Sequence, residues 1–118
     1  GTPDRARFYQ WLIYISNTLQ TAYSRVYFPE RFTRRADQAQ GIREQVDGDL
    51  AASWQVIEDV LTSPGPFMMG GQFSALDISI FLLASWHLPE GQIADKFPHV
   101  QKCIDLVSER PAIKGILT

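Results

Sequence analysis

The most apolar stretch of the chain lies between Ser74 and Trp86 and predicts a helix that is buried on every side. A helix without a polar face has no side to leave in water. The stretch is shorter than the roughly 20 apolar residues that span a bilayer, so we expect it inside a globular domain. A central β-strand is the competing interpretation, but the length and a clear start signal favour a helix. The apolar positions are Leu76, Ile78, Ile80, Phe81, Leu82, Leu83, Ala84 and Trp86.

The start of this helix is marked by a capping box in which Ser74 is the N-cap residue. The Ser74 hydroxyl can accept a hydrogen bond from a free backbone N–H of the first turn. Asp77 can accept from the Ser74 N–H, and its charge suits the positive end of the helix dipole. Phe73 and Ile78 occupy the positions of a hydrophobic staple. We expect Asp77 to be structural rather than catalytic, and its replacement by alanine to cost about 1–2 kcal/mol of stability.

A long first helix is predicted by apolar residues that recur at spacings of three and four from Phe8 to Val26. Thr2 can cap its start, and Pro3 fits the first turn. Pro29 ends the helix, because proline disfavours the helical conformation of the residue before it. The opposite side of this helix is polar but only lightly charged. It carries Arg5, Tyr9, Ile13, Ser16, Asn17, Gln20 and Ser24.

A second long helix is predicted from about Gln38 to Thr62. Gly41 and Gly48 each weaken it by roughly 1 kcal/mol relative to alanine, unless they permit the close approach of a neighbour. The expected core face is Ile42, Val46, Leu50, Trp54 or Ser53, Ile57 and Leu61.

Proline and glycine mark the ends of the remaining elements. The stretch 63–66 is a strong break, and residues 87–96 are expected to form a second loop. Pro98 begins another helix, whose core face is Val100, Cys103 or Ile104, and Val107. Arg110-Pro111 ends that helix before a short last one. The sequence therefore predicts a single all-α domain, residues 1–118, of four main helices and a short terminal helix around one central buried helix.

Composition excludes several classes of function. The 118 residues are 45% hydrophobic and 12% aromatic, which is typical of a globular domain with a real core. The formal charge is −2 with both signs spread along the chain, so we expect no nucleic-acid partner. We also expect no membrane partner, because no apolar run is long enough. The single cysteine cannot form an internal disulfide, which favours a reducing, cytoplasmic location.

The order of these landmarks resembles the C-terminal domain of cytosolic glutathione transferases, over essentially the whole chain. The specific features are the stretch Gly70-Gly71-Gln72-Phe73-Ser74-Ala75-Leu76-Asp77 and, about thirty residues later, Arg110-Pro111-Ala112. The resemblance implies an all-helical bundle that follows a thioredoxin-like domain, which is absent from this chain. That missing domain would hold most contacts to glutathione and the residue that activates its thiol.

Among the classes of this family, the bacterial beta class is the most similar. Its first helix reads Trp-Leu-Asn-aromatic-Ile followed by Glu-Leu-His-Lys, which corresponds here to residues 11–15 and 18–21. The family's asparagine falls at Ile13, its active-site histidine at Gln20 and its lysine at Thr21. Gln20 can donate and accept hydrogen bonds but cannot carry a proton near neutral pH.

The resemblance implies two sets of site residues. The polar side of the first helix would face the cleft for the hydrophobic co-substrate, together with the tryptophan that ends the buried helix; an ordinary surface and a core tryptophan are the alternatives. These positions are Tyr9, Ile13, Gln20, Ser24 and Trp86. Asn17 and Thr18 fall where the related class contacts glutathione of the neighbouring subunit in a homodimer.

The other reactive residue types favour structural roles. His87 is expected to be a cation at a helix end rather than a general base, and His99 to be exposed in a first helical turn. Neither histidine has partners at metal-ligand spacing, so we expect no metal site. Cys103 lies on an apolar helix face and is expected to be a buried hydrophobe rather than a nucleophile. Phe67-Met68-Met69 is expected to pack under the buried helix rather than against the missing domain.

Two functions remain open from the sequence. In the first, the chain is half of an enzyme that conjugates glutathione, its co-substrate, to a hydrophobic electrophile or uses it in thiol exchange. This domain would line the electrophile site and contribute to the dimer interface, and would be inactive alone. In the second, it is a non-catalytic interaction module of the same fold, which the absent histidine and lysine equivalents favour.

Overall fold

The structure, a computed structural model, describes the backbone of residues 2–117 and the side chains of residues 3–116. Its α-helices are α1 (Thr2–Tyr14), α2 (Thr21–Tyr27), α3 (Ala39–Thr62), α4 (Ala75–Ala84), α5 (Gln92–Lys96), α6 (Pro98–Ser108) and α7 (Pro111–Leu117). Short 3-10 helices span Pro29–Phe32 and Ala36–Gln38. The predicted all-α fold is confirmed, and none of the helices of residues 2–117 combines the length and the apolar character that a membrane span needs.

The predicted first helix is continuous but not uniform. A π-helical segment, Ile15–Gln20, joins α1 to α2. Its predicted apolar face is correct, since Ile15, Leu19 and Tyr23 are 2% exposed or less. The helix ends at Phe28, whose φ of −134° leaves the helical region just before Pro29, as predicted. The predicted cap at Thr2 concerns a side chain outside the described residues.

The core lies between the first helix, α3, α4 and α6. The buried residues of α3 all belong to the predicted face, except Glu58, which is adjacent to Ile57 in the chain. Trp54 and Ile57 are 0% exposed. Gly41 and Gly48 are exposed, and a Cβ added at either would meet nothing within 4 Å, so close approach of a neighbour does not explain them. On α6 the buried residues are Val100, Cys103 and Val107, with Ile104 partly buried.

The prediction that α4 is buried on every side is wrong. Leu76, Ile80 and Leu83 are 2% exposed or less, but Ile78 is 40% and Leu82 50% exposed. The helix packs against α6, the π-helical segment and α1, which cover one side of it. In a domain of this size the described elements do not surround α4, so its outer apolar residues stay in contact with water.

A further prediction needs correction. The expected loop 87–96 contains the short helix α5, which buries Ile93 against the core. His87 is 8% exposed, and its expected role as a helix-end cation stays a prediction. The loop before α4 behaves as expected: Phe67 and Gly70 exchange two backbone hydrogen bonds of 3.0 Å, and Met68 is 2% exposed in the core.

Candidate functional site

A groove of about 640 Å³ lies where α2 ends beside the turn that follows α4. We name it the α2–α4 groove. Its lining is mostly aromatic, with two small polar side chains from the first helix. The lining residues are Gln20, Tyr23, Ser24, Tyr27, Phe28 and Trp86.

Three of the predicted site residues meet in this groove: Gln20, Ser24 and Trp86. Trp86 is partly buried, and its ring packs edge-on against the Tyr23 ring with centroids 6.1 Å apart. The Ser24 hydroxyl donates to the Thr21 carbonyl at 2.6 Å, whereas the exposed Gln20 amide makes no hydrogen bond within residues 2–117. The Gln20 side chain is therefore a polar group of the groove that is available to bind a ligand.

Four other predicted residues lie outside the α2–α4 groove. Tyr9 and Ile13 are 52% and 58% exposed on α1, and Asn17 and Thr18 are exposed on the π-helical segment. Tyr9 and Ile13 precede Gln20 along the first helix, whereas the groove lies at the other end of that helix, where α2 ends. The assignment of Tyr9 and Ile13 to the co-substrate site stays a prediction, which this groove does not support. The assignment of Asn17 and Thr18 to glutathione also stays a prediction.

Three lining residues were not expected from the sequence: Tyr23, Tyr27 and Phe28. Tyr23 falls in the core pattern. Tyr27 and Phe28 lie at the helix end before Pro29, where helical spacing no longer assigns a residue to a face. A usable signal is the run of aromatic residues at the end of α2, because Tyr27 and Phe28 are 44% and 43% exposed. Contiguous exposed apolar patches mark interaction surfaces or ligand-binding grooves.

The two walls of the groove are joined by a hydrogen bond. The Tyr27 hydroxyl donates to the main-chain carbonyl of Trp86, 59 residues further along the chain. This bond ties the end of α2 to the turn after α4 and holds the Tyr27 ring at the mouth of the groove.

Beneath the groove lies a buried chain of hydrogen bonds that connects four elements. The Trp54 Nε1–H donates to the Tyr23 hydroxyl at 2.8 Å, and that hydroxyl is 2.9 Å from His87 Nδ1. His87 Nε2 in turn lies beside Gln92 Oε1. Because an amide oxygen only accepts, Nε2 is the donor of this pair, and Nδ1 is the ring nitrogen that faces the Tyr23 hydroxyl. His87 is thus a positioning group in this arrangement rather than a free base.

The groove offers binding rather than acid–base chemistry. Its six lining side chains carry no formal charge at neutral pH. Burial raises the pKa of Tyr23 well above its usual range, so its hydroxyl stays protonated. An apolar, concave surface with a few polar groups is typical of a small-molecule site.

A separate buried centre surrounds Asp77, which is 0% exposed. Its carboxylate accepts from the Ser74 N–H at 2.9 Å and from the Met68 N–H at 2.8 Å, and the Ser74 hydroxyl accepts from the Leu76 N–H at 3.3 Å. The capping box therefore stands at the start of α4, with Met68 as an additional donor. Burial raises the pKa of Asp77, and these N–H groups oppose that shift.

The residues that flank this centre are structural. The Cys103 Sγ–H donates to Asp77 at 3.6 Å, the residue is 0% exposed, and burial raises the pKa of the thiol, which fits the predicted role as a buried hydrophobe. Phe73 packs edge-on against Phe67 and under the Arg110 guanidinium, 3.7 Å from the ring centroid. Its predicted staple with Ile78 stays a prediction.

His99, expected to be exposed, is partly covered at the start of α6. The carboxylate of Glu58, a buried residue of α3, accepts from the backbone N–H groups of His99 and Val100 at 2.9 Å each, and from the His99 ring. Glu58 therefore caps α6 from another helix. No group of three or more histidine, cysteine, aspartate or glutamate side chains within the described residues is arranged to hold a metal ion.

The chain was compared with known proteins in three ways. Neither the curated proteins nor the solved structures contained a match. Residues 17–117 match the family described as glutathione S-transferase, C-terminal domain. This match covers the α2–α4 groove, the capping box and the Arg110-Pro111 break, and begins after Tyr9 and Ile13. The chain therefore belongs to the glutathione S-transferase C-terminal domain family.

Proposed function

We propose that the chain is the co-substrate half of a glutathione transferase, and that the α2–α4 groove is the wall against which a hydrophobic, aromatic electrophile binds. The observation that carries this proposal is the groove itself, an uncharged aromatic surface around Trp86. Aromatic side chains favour planar apolar ligands through burial and edge-to-face contacts.

In this function the thiolate of glutathione attacks the electrophilic carbon, a C–S bond forms, and the leaving group departs with the electron pair of its bond. Thiolate reactivity depends on a lowered thiol pKa, which a thioredoxin-like N-terminal domain would provide. The groove would orient the electrophile and exclude water, while Gln20 would donate or accept one hydrogen bond.

The proposal includes partners beyond the described residues. We expect the full-length protein to carry the N-terminal thioredoxin-like domain, to bind glutathione, to form a homodimer and to act in the cytoplasm. The isolated chain is expected to be inactive. A resemblance to bacterial beta-class members is part of the proposal, but Gln20 in place of a histidine departs from that class.

A non-catalytic interaction module is the second candidate. It is favoured by the absence of any charged or free acid–base side chain among the six residues that line the α2–α4 groove. In that case the same surface would bind a ligand or a protein partner without turnover.

The decisive experiment uses the full-length protein with Trp86→Ala and a chromogenic aryl halide. We expect the KM for the halide to rise about tenfold, because the main aromatic contact is lost, and the KM for glutathione to stay within about twofold. Leu82→Ala is the matched control, since Leu82 is 50% exposed in the last turn of α4, just before Trp86, but does not line the groove.

Three results separate the candidates. A selective rise in the KM for the halide supports the enzyme. Retention on glutathione-agarose without turnover of any thiol-transfer substrate supports the interaction module. Equal effects of Trp86→Ala and Leu82→Ala contradict the assignment of the groove.

A further inference from the structure

A second groove, of about 560 Å³, is also lined by Tyr27 and lies between α2, α3 and the turn after α4. We name it the α2–α3 groove. It shares Tyr23 and Tyr27 with the α2–α4 groove. Its other lining residues are Val26, Arg43, Asp47, Leu50, Leu88 and Pro89.

The two shared tyrosines differ in how deeply their side chains are buried. Tyr23 is 2% exposed and hydrogen-bonded to Trp54 and His87, so it belongs to the floor of both grooves. Tyr27 is 44% exposed, so it is the shared lining residue that lies at the surface. The hydroxyl bond from Tyr27 to the Trp86 carbonyl keeps the ring in that position.

The α2–α3 groove suits an apolar chain better than a charged group. Val26 and Leu50 are buried, and Leu88 is 54% exposed above them. The Arg43 Nε–H donates to the Val26 carbonyl at 3.1 Å, which holds the guanidinium against the end of α2. Asp47 lies one turn further on α3, so an anionic ligand would meet a negative charge there as well as a positive one.

We propose that Tyr27 is the specificity-determining residue that limits how long a ligand of the α2–α4 groove can be. This inference rests on the proposed function. A ligand whose aromatic ring lies in the α2–α4 groove can extend an alkyl tail into the α2–α3 groove only if the Tyr27 ring is displaced or removed. With tyrosine in place, compact aromatic ligands are preferred; without it, the two grooves form one longer channel.

The test measures the Kd of 4-alkylphenols, from ethyl to octyl, for the full-length protein by calorimetry. In the wild type the affinity should rise about fourfold for each methylene that is buried and then level off where the tail meets Tyr27. In Tyr27→Ala the rise should continue to octyl, so that the ratio of the ethyl Kd to the octyl Kd becomes at least tenfold larger. Tyr27→Leu, which also shortens the side chain, serves as a second variant if the alanine protein does not fold.

Tyr27→Phe is the matched control, because it keeps the ring and removes only the hydroxyl. It should still show the levelling, at a chain length between those of the wild type and Tyr27→Ala, because the ring remains but loses its bond to the Trp86 carbonyl. The inference is overturned if the affinity levels off at the same chain length in Tyr27→Ala or Tyr27→Leu as in the wild type. It is also overturned if the affinity keeps rising with chain length in Tyr27→Phe as far as it does in Tyr27→Ala.

Failure of the proposed function has a different signature. If no phenol binds, or if Trp86→Ala leaves the Kd of 4-ethylphenol unchanged, the groove is not the ligand site and both proposals fall. If Trp86→Ala weakens the binding of every phenol, but the dependence of affinity on chain length is the same in the wild type and Tyr27→Ala, only the length limit is wrong.

Discussion

Asp77 connects two separate backbone segments through one carboxylate. Its acceptor role toward Ser74 follows from the spacing of the capping box, but its bond to the Met68 N–H depends on how the loop 63–73 folds back on α4. A carboxylate that is fully buried is stable only when its oxygens are hydrogen-bonded. Here the donors are present, so the residue is structural.

We predict that Asp77→Ala lowers the free energy of unfolding by about 2–4 kcal/mol, because two backbone N–H groups lose their acceptor in a buried site. Urea unfolding followed by circular dichroism measures this change. Asp37→Ala, at an exposed carboxylate, should change stability by less than about 0.5 kcal/mol. Equal midpoints for Asp77→Ala and the wild type would show that the capping box does not stabilise the protein.

The helix α3 shows what periodicity predicts well. Its bounds, Ala39–Thr62, differ by one residue from the predicted start, and its buried face coincides with the predicted one. A 24-residue amphipathic helix carries enough repeats to define its face without knowledge of its neighbours. The first helix keeps its predicted apolar face as well, but its spacing gave no sign of the π-helical segment within it.

Glycine in α3 provides a prediction at the scale of the element. Gly48 is exposed within the helix, and a Cβ there would meet no atom within 4 Å. Gly48→Ala should therefore stabilise the protein by about 0.5–1 kcal/mol, because alanine loses less backbone entropy on folding. Thermal unfolding gives the shift in the midpoint.

Gly65→Ala is the opposite case and the control. Gly65 has a φ of +36°, and a Cβ would lie 2.0 Å from the Leu61 carbonyl oxygen. This substitution should destabilise by at least about 1–2 kcal/mol. If both glycine variants shift the midpoint in the same direction, the contrast between an open and a restricted site is wrong.

At the scale of the whole molecule, the chain of hydrogen bonds from Trp54 to Gln92 joins the first helix, α3, the turn after α4 and α5. Each group in it is polar and buried or partly buried, so each needs its partner. The chain also supports the floor of both grooves, because Tyr23 lines each of them. Stability and site shape therefore depend on the same residues.

We predict that Tyr23→Phe costs about 2–4 kcal/mol of unfolding free energy, because the Trp54 N–H and His87 Nδ1 both lose a buried partner. Trp54 also reports the change through its fluorescence in the folded state. Tyr9→Phe, at a tyrosine that is 52% exposed, should be close to neutral. A loss in Tyr23→Phe no larger than that in Tyr9→Phe would mean that water replaces the missing hydroxyl.

The sequence by itself determined the positions of the main helices, the buried faces of α3 and α6, the capping box and the family, because these depend on local spacing and on residue types near each other in the chain. It also indicated Gln20, Ser24 and Trp86. Only the tertiary structure decided that Tyr27 and Phe28 complete the groove, that α4 is open on one side and that Glu58 caps α6. Those contacts join residues tens of positions apart, and helical periodicity contains no information about which distant surface a face will meet.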